Sequence, residues 1–286
     1  YTCEGNKYLK NDGALLDEEG NEIDESTFKR LIQRETAKFI HQNYSNIIVL
    51  VGAGASVLST NDTIDPRFGK TVAMLANVIN TELKKDSKCF SLQELSDFCK
   101  YTIPVEVPLG EDKYTLNPAF NLEDFLSDLI SFEKYVADDQ HDKYVLSKNK
   151  ILELIVSNTS YEYDSNCLKH SAFINTVSHL VRTPSKLTLV TTNYDTLIED
   201  AADSIEYTVI DGFTFTHRPH FDSDMFEWNL VKDIENVKTR EMEYKKNIIN
   251  LLKLHGSLTW EFSEKGIVRK EKSEVNNPIM IFPSSN

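Results

Sequence analysis

Three short segments of the chain combine glycine, hydroxyl, amide, carboxylate and imidazole groups at points where strands should end. Glycine lets backbone N–H groups approach a pyrophosphate, and an amide can hold two partners at once. An imidazole can accept a proton near neutral pH. Together these groups would suit the cleavage of a phosphate-bearing nucleotide. The segments are Gly52-Ala53-Gly54-Ala55-Ser56, Thr191-Thr192-Asn193-Tyr194-Asp195 and Lys253-Leu254-His255-Gly256-Ser257.

The first segment is a candidate phosphate-binding turn. It follows the apolar run from Ile47 to Val51, which predicts a strand buried on both faces, as in a parallel α/β sheet. Gly52 and Gly54 permit a tight turn, and Ser56 suits the start of a helix that favours an anion. With Ala53 they are candidate ligand contacts. A tight turn without any ligand would have the same sequence.

The other two segments supply groups that could act on a sugar and a water molecule. The Asn193 amide could hold a sugar hydroxyl and a water, and the His255 imidazole could take a proton from either. Asp195 could orient a carboxamide or stabilise developing positive charge. Structural interpretations also fit: a helix N-cap for Asn193, a turn residue for His255 and a first-turn acid for Asp195.

Composition limits the class of protein. With 286 residues, 40% of them hydrophobic, the chain can bury a core as one large domain or as a domain with an insertion. Its 45 acidic and 31 basic residues give a net charge of −14, which argues against direct binding of nucleic acid. The four cysteines form no C-x-x-C pair, so we predict no metal site and expect a reducing, cytoplasmic setting. No secretory signal is present, and no apolar stretch approaches the roughly 20 residues of a membrane helix.

Periodicity places these segments within a series of helices and strands. Apolar spacing predicts helices at 26–43 and 69–83, with further helical patterns near 143–157 and 166–182. Ser91 with Glu94 predicts a capping box, and Asn121 predicts the N-cap of another helix. Later strands are predicted at 187–191, 207–210, 249–254 and 278–282.

The order of these elements predicts the fold class. The sequence between the first two strands, residues 52–186, is mainly helical and far longer than a dinucleotide-binding βαβ unit, which spans only about 30 residues. We therefore predict an α/β, Rossmann-like and mostly parallel sheet flanked by helices, with an inserted, mainly helical subdomain at about 69–182. Residues 1–25 would form a polar N-terminal arm and 26–286 one domain. Parallel strands would bring all three segments to one edge of the sheet.

Several other patterns are weaker. Gly69-Lys70-Thr71 resembles the end of a phosphate-binding loop, but no strand precedes it, so we predict a helix start. His217, His220 and Asp222 have metal-like spacing and are interpreted as a polar loop. Glu123 and Asp124 are interpreted as an acidic first helical turn, and residues 232–246 as a solvated helix face.

The three segments together resemble the sirtuins. A Gly-Ala-Gly-x-Ser turn, a Thr-x-Asn-x-Asp strand end and a Leu-His-Gly strand end occur in the sirtuin order around a helical insertion. They look most like the sirtuin-like domains of bacterial anti-phage defence proteins, which hydrolyse NAD, over roughly residues 45–286. The resemblance implies that the turn of Gly52, Ala53, Gly54 and Ser56 binds the pyrophosphate. It also implies that Asn193 and Asp195 contact the ribose and the nicotinamide, and that His255 is the catalytic histidine.

Two departures from the protein-deacylating sirtuins point to plain NAD hydrolysis. Their Gly-Ile-Pro-Asp-Phe-Arg stretch has only a doubtful counterpart at 64–69, and their zinc-binding cysteine pairs are missing. The resemblance thus implies an NAD hydrolase that needs no metal and depletes NAD in anti-phage defence. The alternatives are an NAD-dependent protein deacylase or ADP-ribosyl transferase, and a non-catalytic sensor of NAD or ADP-ribose.

The resemblance also carries expectations about assembly. It implies a homo-oligomer, with a helicase-type ATPase or another defence protein as partner. Further sheet strands of the family would follow residue 286, so the chain is expected to be truncated at its C-terminus.

Overall fold

The structure is a computed structural model that describes residues 1–4, 7–11, 13–40, 42, 44–60, 63–65, 67–110, 113–234, 242–264 and 266–281. Its α-helices are α1 (Glu25–Ile40), α2 (Val72–Lys85), α3 (Leu92–Cys99), α4 (Leu122–Phe132), α5 (Asp138–Thr159), α6 (His170–Ser178) and α7 (Leu197–Ser204). Its strands are β1 (Thr2–Glu4), β2 (Lys7–Lys10), β3 (Gly13–Ala14), β4 (Ile48–Val51), β5 (Ser59–Thr60), β6 (Thr63–Ile64), β7 (Glu106–Gly110), β8 (Lys113–Leu116), β9 (Leu187–Thr191), β10 (Thr208–Ile210), β11 (Val231–Asp233), β12 (Met242–Tyr244), β13 (Ile248–Lys253), β14 (Gly256–Ser257), β15 (Trp260–Ser263), β16 (Gly266–Arg269) and β17 (Ile279–Met280). None of the helices in these ranges is both long and apolar enough to cross a membrane.

A four-stranded parallel sheet organises the fold. Its strands lie in the order β10-β13-β9-β4, and all three neighbouring pairs are parallel. Helices α6 and α7 pack on one face of this sheet through a buried cluster that includes Leu187, Leu189, Ile249 and Leu251. The predicted fold class, a Rossmann-like parallel sheet flanked by helices with a mainly helical insertion, is confirmed.

The prediction that the first strand is buried on both faces is wrong. Val49 and Val51 pack partly against the α6 and α7 side of the sheet. Ile48 and Leu50 point to the opposite face, and each is 71% exposed. The physical reason is that β4 is an edge strand, and helices α6 and α7 pack on the other face of the sheet.

The insertion between β4 and β9 has a core of its own, to which α2, α3, α4 and α5 contribute. The predicted capping box of Ser91 and Glu94 begins α3, and the Asn121 side chain caps α4. The Thr71 hydroxyl caps α2, so Gly69-Lys70-Thr71 leads into a helix, as predicted. The insertion also holds the antiparallel hairpin of β7 and β8, which was not predicted.

Two other predicted elements are wrong. The helix face predicted at 232–246 is instead the antiparallel pair of β11 and β12, with 235–241 outside the described residues. The strand predicted at 278–282 shortens to β17, which pairs antiparallel with β14 instead of joining the main sheet; Phe282 lies outside the described residues. The N-terminal arm forms a small antiparallel sheet, and its Tyr8 ring stacks on Phe28 of α1 at 4.4 Å between ring centroids.

Candidate active site

The three segments meet because their strands end in register. Val51 of β4 pairs with Thr191 of β9, and Thr191 pairs with Lys253 of β13. The chain after each of these residues therefore leaves the sheet at the same edge. Asn193 and His255 each lie two residues beyond their strand, and both line one cleft with Ala53 and Ser56 of the glycine turn.

Asn193 is fixed by the glycine turn. Its amide nitrogen Nδ2 donates to the Gly52 carbonyl at 3.2 Å and to the Ser56 hydroxyl at 3.0 Å. A carbonyl can only accept, so the amide must point its nitrogen at Gly52, which sets the position of Oδ1. Oδ1 is buried and has no hydrogen-bond partner among the described residues. A buried acceptor in that state calls for a partner that the described residues do not supply, such as a water or a ligand hydroxyl.

Ser56 and Asp195 continue this chain of hydrogen bonds. The Ser56 hydroxyl donates to Oδ2 of Asp195 at 2.6 Å, and Oδ1 of Asp195 accepts the backbone N–H of Leu197 at 3.2 Å. Asp195 is only 6% exposed. Both carboxylate oxygens thus hold the turn and the start of α7, and a direct contact of Asp195 with nicotinamide stays a prediction.

His255 lies beside Tyr194. Their ring centroids are 6.3 Å apart, and the segment around Ile281 holds both residues. The Ile281 backbone N–H donates to the His255 carbonyl at 2.8 Å, and its carbonyl accepts the Tyr194 hydroxyl at 2.8 Å. The His255 imidazole makes no hydrogen bond within the described part of the chain, so both of its nitrogens are available to a substrate. Burial, and after it the charge of Glu123, raises the pKa of Tyr194, so its phenol stays neutral.

These residues line a cleft of about 230 Å³ between the sheet edge and the insertion. Of the predicted site residues, the cleft is lined by Ala53, Ser56, Asn193, Asp195 and His255. Gly52 and Gly54 do not line it, and Gly52 instead borders an apolar groove that also includes His170. The proposed contacts of the two glycines with pyrophosphate stay predictions.

The insertion forms the other wall of the cleft. That wall is mainly apolar, with Glu123 as an acidic member, and Lys70 and Tyr161 lie close to the turn. The apolar residues are Val72, Leu75, Leu122, Leu126 and Ile155. Glu123 and Asp124 form the acidic first turn of α4, as predicted, and of the two only Glu123 also lines the cleft.

Lys253 is a supporting residue that the sequence patterns did not predict. Its side chain is 1% exposed, and Nζ donates to the Asp195 carbonyl and, at 2.8 Å, to the Glu199 carboxylate. Burial raises the pKa of Glu199, and the charge of Lys253 acts against that change. A signal was present, because Lys253 continues the buried alternation of Ile249 and Leu251 and so had to point inwards.

The structural alternatives have different outcomes. Asn193 is not the N-cap of the next helix, because α7 begins at Leu197 and Thr196 precedes it. His220 contacts the Thr214 hydroxyl at 3.3 Å, and the described residues hold no group of three or more metal-ligating side chains. The absence of a metal from the mechanism stays a prediction.

Part of the chain matches a known protein family. Residues 187–277 match the family model of the SIR2-like domain. The matched range begins with β9 and includes Asn193, Asp195 and His255, but neither the glycine turn nor the insertion. No curated protein matches the chain significantly. The family match supports a sirtuin-like assignment and suggests an NAD-related activity.

Proposed function

We propose that the protein hydrolyses NAD to nicotinamide and ADP-ribose. One observation carries the proposal: Asn193, whose Oδ1 has no partner among the described residues, and His255, whose imidazole makes no hydrogen bond to them, line the same cleft at the ends of neighbouring strands. An acceptor and a base in one cleft suit a ribose ring and an attacking water. The SIR2-like match supports NAD as the nucleotide.

The reaction requires accurate positioning of the ribose and the attacking water more than it requires strong acid catalysis. Nicotinamide in NAD is a cationic leaving group, so the bond from its ring nitrogen to the ribose breaks through an oxocarbenium-like transition state. Asn193 would hold a ribose hydroxyl through Oδ1. His255 would accept a proton from the attacking water, whose oxygen bonds to the ribose carbon as nicotinamide leaves with the bonding electron pair.

The insertion would protect this step from side reactions. Its apolar residues line the cleft opposite the strand ends and would exclude bulk water from the ribose. The hydrogen bonds from Asn193 to Gly52 and Ser56 would keep the amide in place without any rearrangement during the reaction.

We further propose a biological setting from the sirtuin resemblance. The protein would act in the cytoplasm as an NAD-depleting effector of anti-phage defence, as a homo-oligomer working with a helicase-type ATPase or another defence protein. A demonstrated monomer that hydrolyses NAD fully at low concentration would contradict the oligomer.

The test of the activity is incubation of the purified protein with NAD alone, followed by chromatography of the products. We expect nicotinamide and ADP-ribose in equal amounts without any acylated peptide. Nicotinamide release that requires an acyl-lysine peptide or another acceptor would identify a deacylase or transferase. NAD binding without release would identify a sensor. A metal chelator should leave the hydrolysis rate unchanged.

A further inference from the structure

Two charged side chains of the cleft have no partner in the part of the chain that the structure describes. Lys70 and Glu123 both line it, and within the described residues neither side chain makes a hydrogen bond or an ion pair. The third charged residue there, Asp195, is already bonded to Ser56 and Leu197. Unpaired charges that line a cleft are groups that a charged ligand can engage.

Lys70 is held against the glycine turn. Gly69 has φ +53°, and a Cβ at this position would lie 2.2 Å from the Ser56 carbonyl oxygen, so only glycine permits this close approach. The next backbone N–H, that of Lys70, donates to the hydroxyl of the buried Tyr161 at 2.8 Å. Both contacts fix the Lys70 backbone beside the turn where a pyrophosphate is expected, and Lys70 lines the same cleft as Ala53 and Ser56 of that turn.

Glu123 lies at the opposite wall, in the first turn of α4. The Asn121 side chain caps this helix and accepts the Glu123 backbone N–H at 2.9 Å. The Glu123 charge acts on Tyr194, whose ring centroid lies 6.3 Å from that of His255. The negative charge is thus on the side of the cleft where the glycosidic bond would be cleaved.

We propose that Lys70 and Glu123 orient NAD by its own charges, Lys70 binding the anionic pyrophosphate and Glu123 attracting the cationic nicotinamide ring. The cleft would therefore distinguish oxidised NAD from NADH, whose dihydronicotinamide ring is neutral. This proposal rests on the proposed function, because it concerns the same cleft and the same nucleotide.

The test compares three ligands by calorimetric titration of the full chain in a His255→Ala background, where cleavage should be blocked. ADP-ribose has the pyrophosphate but no nicotinamide, and NADH has both without the ring charge. Glu123→Gln should weaken NAD binding by up to about tenfold and leave the affinities for NADH and ADP-ribose unchanged. Lys70→Met should weaken all three ligands by about tenfold.

Matched controls keep the result specific. Asp124→Asn removes an acid from the same helical turn outside the cleft and should leave all three affinities unchanged. Lys70→Arg should keep most of the affinity that Lys70→Met loses. Thermal unfolding of each variant should match that of the background, and a Lys70→Gln variant replaces Lys70→Met if the latter does not fold.

The outcomes separate the two proposals. Equal loss of NAD and NADH binding in Glu123→Gln, or unchanged ADP-ribose binding in a folded Lys70→Met, would overturn the orientation proposal. If the unmodified protein cleaves NAD while both variants keep every affinity, only the orientation proposal fails. If the unmodified protein neither binds nor cleaves NAD, the proposed function fails with it.

Discussion

The Ser56 hydroxyl donates a 2.6 Å hydrogen bond to the buried carboxylate of Asp195 and so joins the glycine turn to the segment that follows β9. Ser56 also accepts from Asn193, so a single hydroxyl links the two segments that would surround a ribose. The cleft therefore depends on a contact between residues far apart in the chain, and its loss should affect both stability and activity.

Ser56→Ala should lower the free energy of unfolding by about 1–3 kcal/mol, because it leaves a buried carboxylate oxygen without its donor. NAD cleavage should fall as well, since Asn193 loses one of its two anchors. Denaturant unfolding and nicotinamide release measure the two effects. Ser59→Ala, at an exposed position nearby, is the control and should match the unmodified protein. Equal stability of Ser56→Ala and the control would show that the contact contributes nothing.

Two glycines beside the cleft should respond differently to alanine. Gly69→Ala should lower the free energy of unfolding by more than the roughly 1–2 kcal/mol cost of a left-handed alanine, because its Cβ also meets the Ser56 backbone. Gly54→Ala should be tolerated, because no atom lies within 4 Å of its Cβ. Thermal unfolding of both variants provides the comparison, and a Gly69→Ala protein as stable as Gly54→Ala is the contrary result.

Lys253→Met should be among the most destabilising single changes in the sheet. Removing one partner of a buried ion pair costs about 3–5 kcal/mol, and Glu199 would be left without its cation. Adding Glu199→Gln should restore part of that loss. The control is Lys29→Met, which breaks an exposed ion pair with Glu25 and should cost under about 1 kcal/mol. Similar losses in the two single variants would mean that burial of Lys253 is unimportant.

His170 should make the fold sensitive to acid. Burial lowers its pKa, and the charge of Asp195 acts in the opposite direction. The unfolded chain therefore binds this proton more readily, so the stabilisation is complete above the unfolded pKa of about 6.5 and is lost as pH falls through the folded value. Unfolding should be measured between about pH 7.5 and 5 for the unmodified protein and His170→Phe.

His170→Phe should lose less free energy of unfolding than the unmodified protein as the pH is lowered over the same range. Burial also raises the pKa values of Glu199 and Asp200, which act in the opposite direction and are present in both proteins, so the difference isolates His170. His217→Phe changes an exposed histidine and should keep the full dependence on pH. Parallel stability curves for the unmodified protein and His170→Phe would disagree with this account.

Local signals predicted much of the fold from sequence. The Ser91 and Asn121 caps are decided by a few adjacent residues, and the strand at 187–191 has its predicted bounds because its alternation is clear. The meeting of the three segments followed from one rule, that parallel strands end at a common edge. That rule required no knowledge of side-chain contacts.

Tertiary context decided what sequence analysis missed. The exposure of Ile48 and Leu50 depends on which face of the sheet the helices cover. An apolar strand has the same sequence pattern whether helices cover one face or both. The mixed charges of 232–246 suit a solvated hairpin as well as a solvated helix, and the structure has the pair β11 and β12 there. The pairing of Lys253 with Glu199 depends on the packing of β13 against α7, which sequence patterns do not show. The alternation along β13 did indicate that the Lys253 side chain points inwards.

The most direct test of the central claim is the rate of nicotinamide release from NAD by Asn193→Ala and His255→Ala. We predict a fall of about 10²- to 10⁴-fold in each. The free energy of unfolding should stay within about 0.5 kcal/mol of the unmodified value for His255→Ala. It should fall by about 1 kcal/mol for Asn193→Ala, which loses its hydrogen bonds to Gly52 and Ser56. If both residues act on the same ribose and water, the double variant should be scarcely slower than either single one. Leu254→Ala, at an exposed neighbouring position, should keep full activity. Unchanged release by a folded His255→Ala protein would contradict the proposed mechanism.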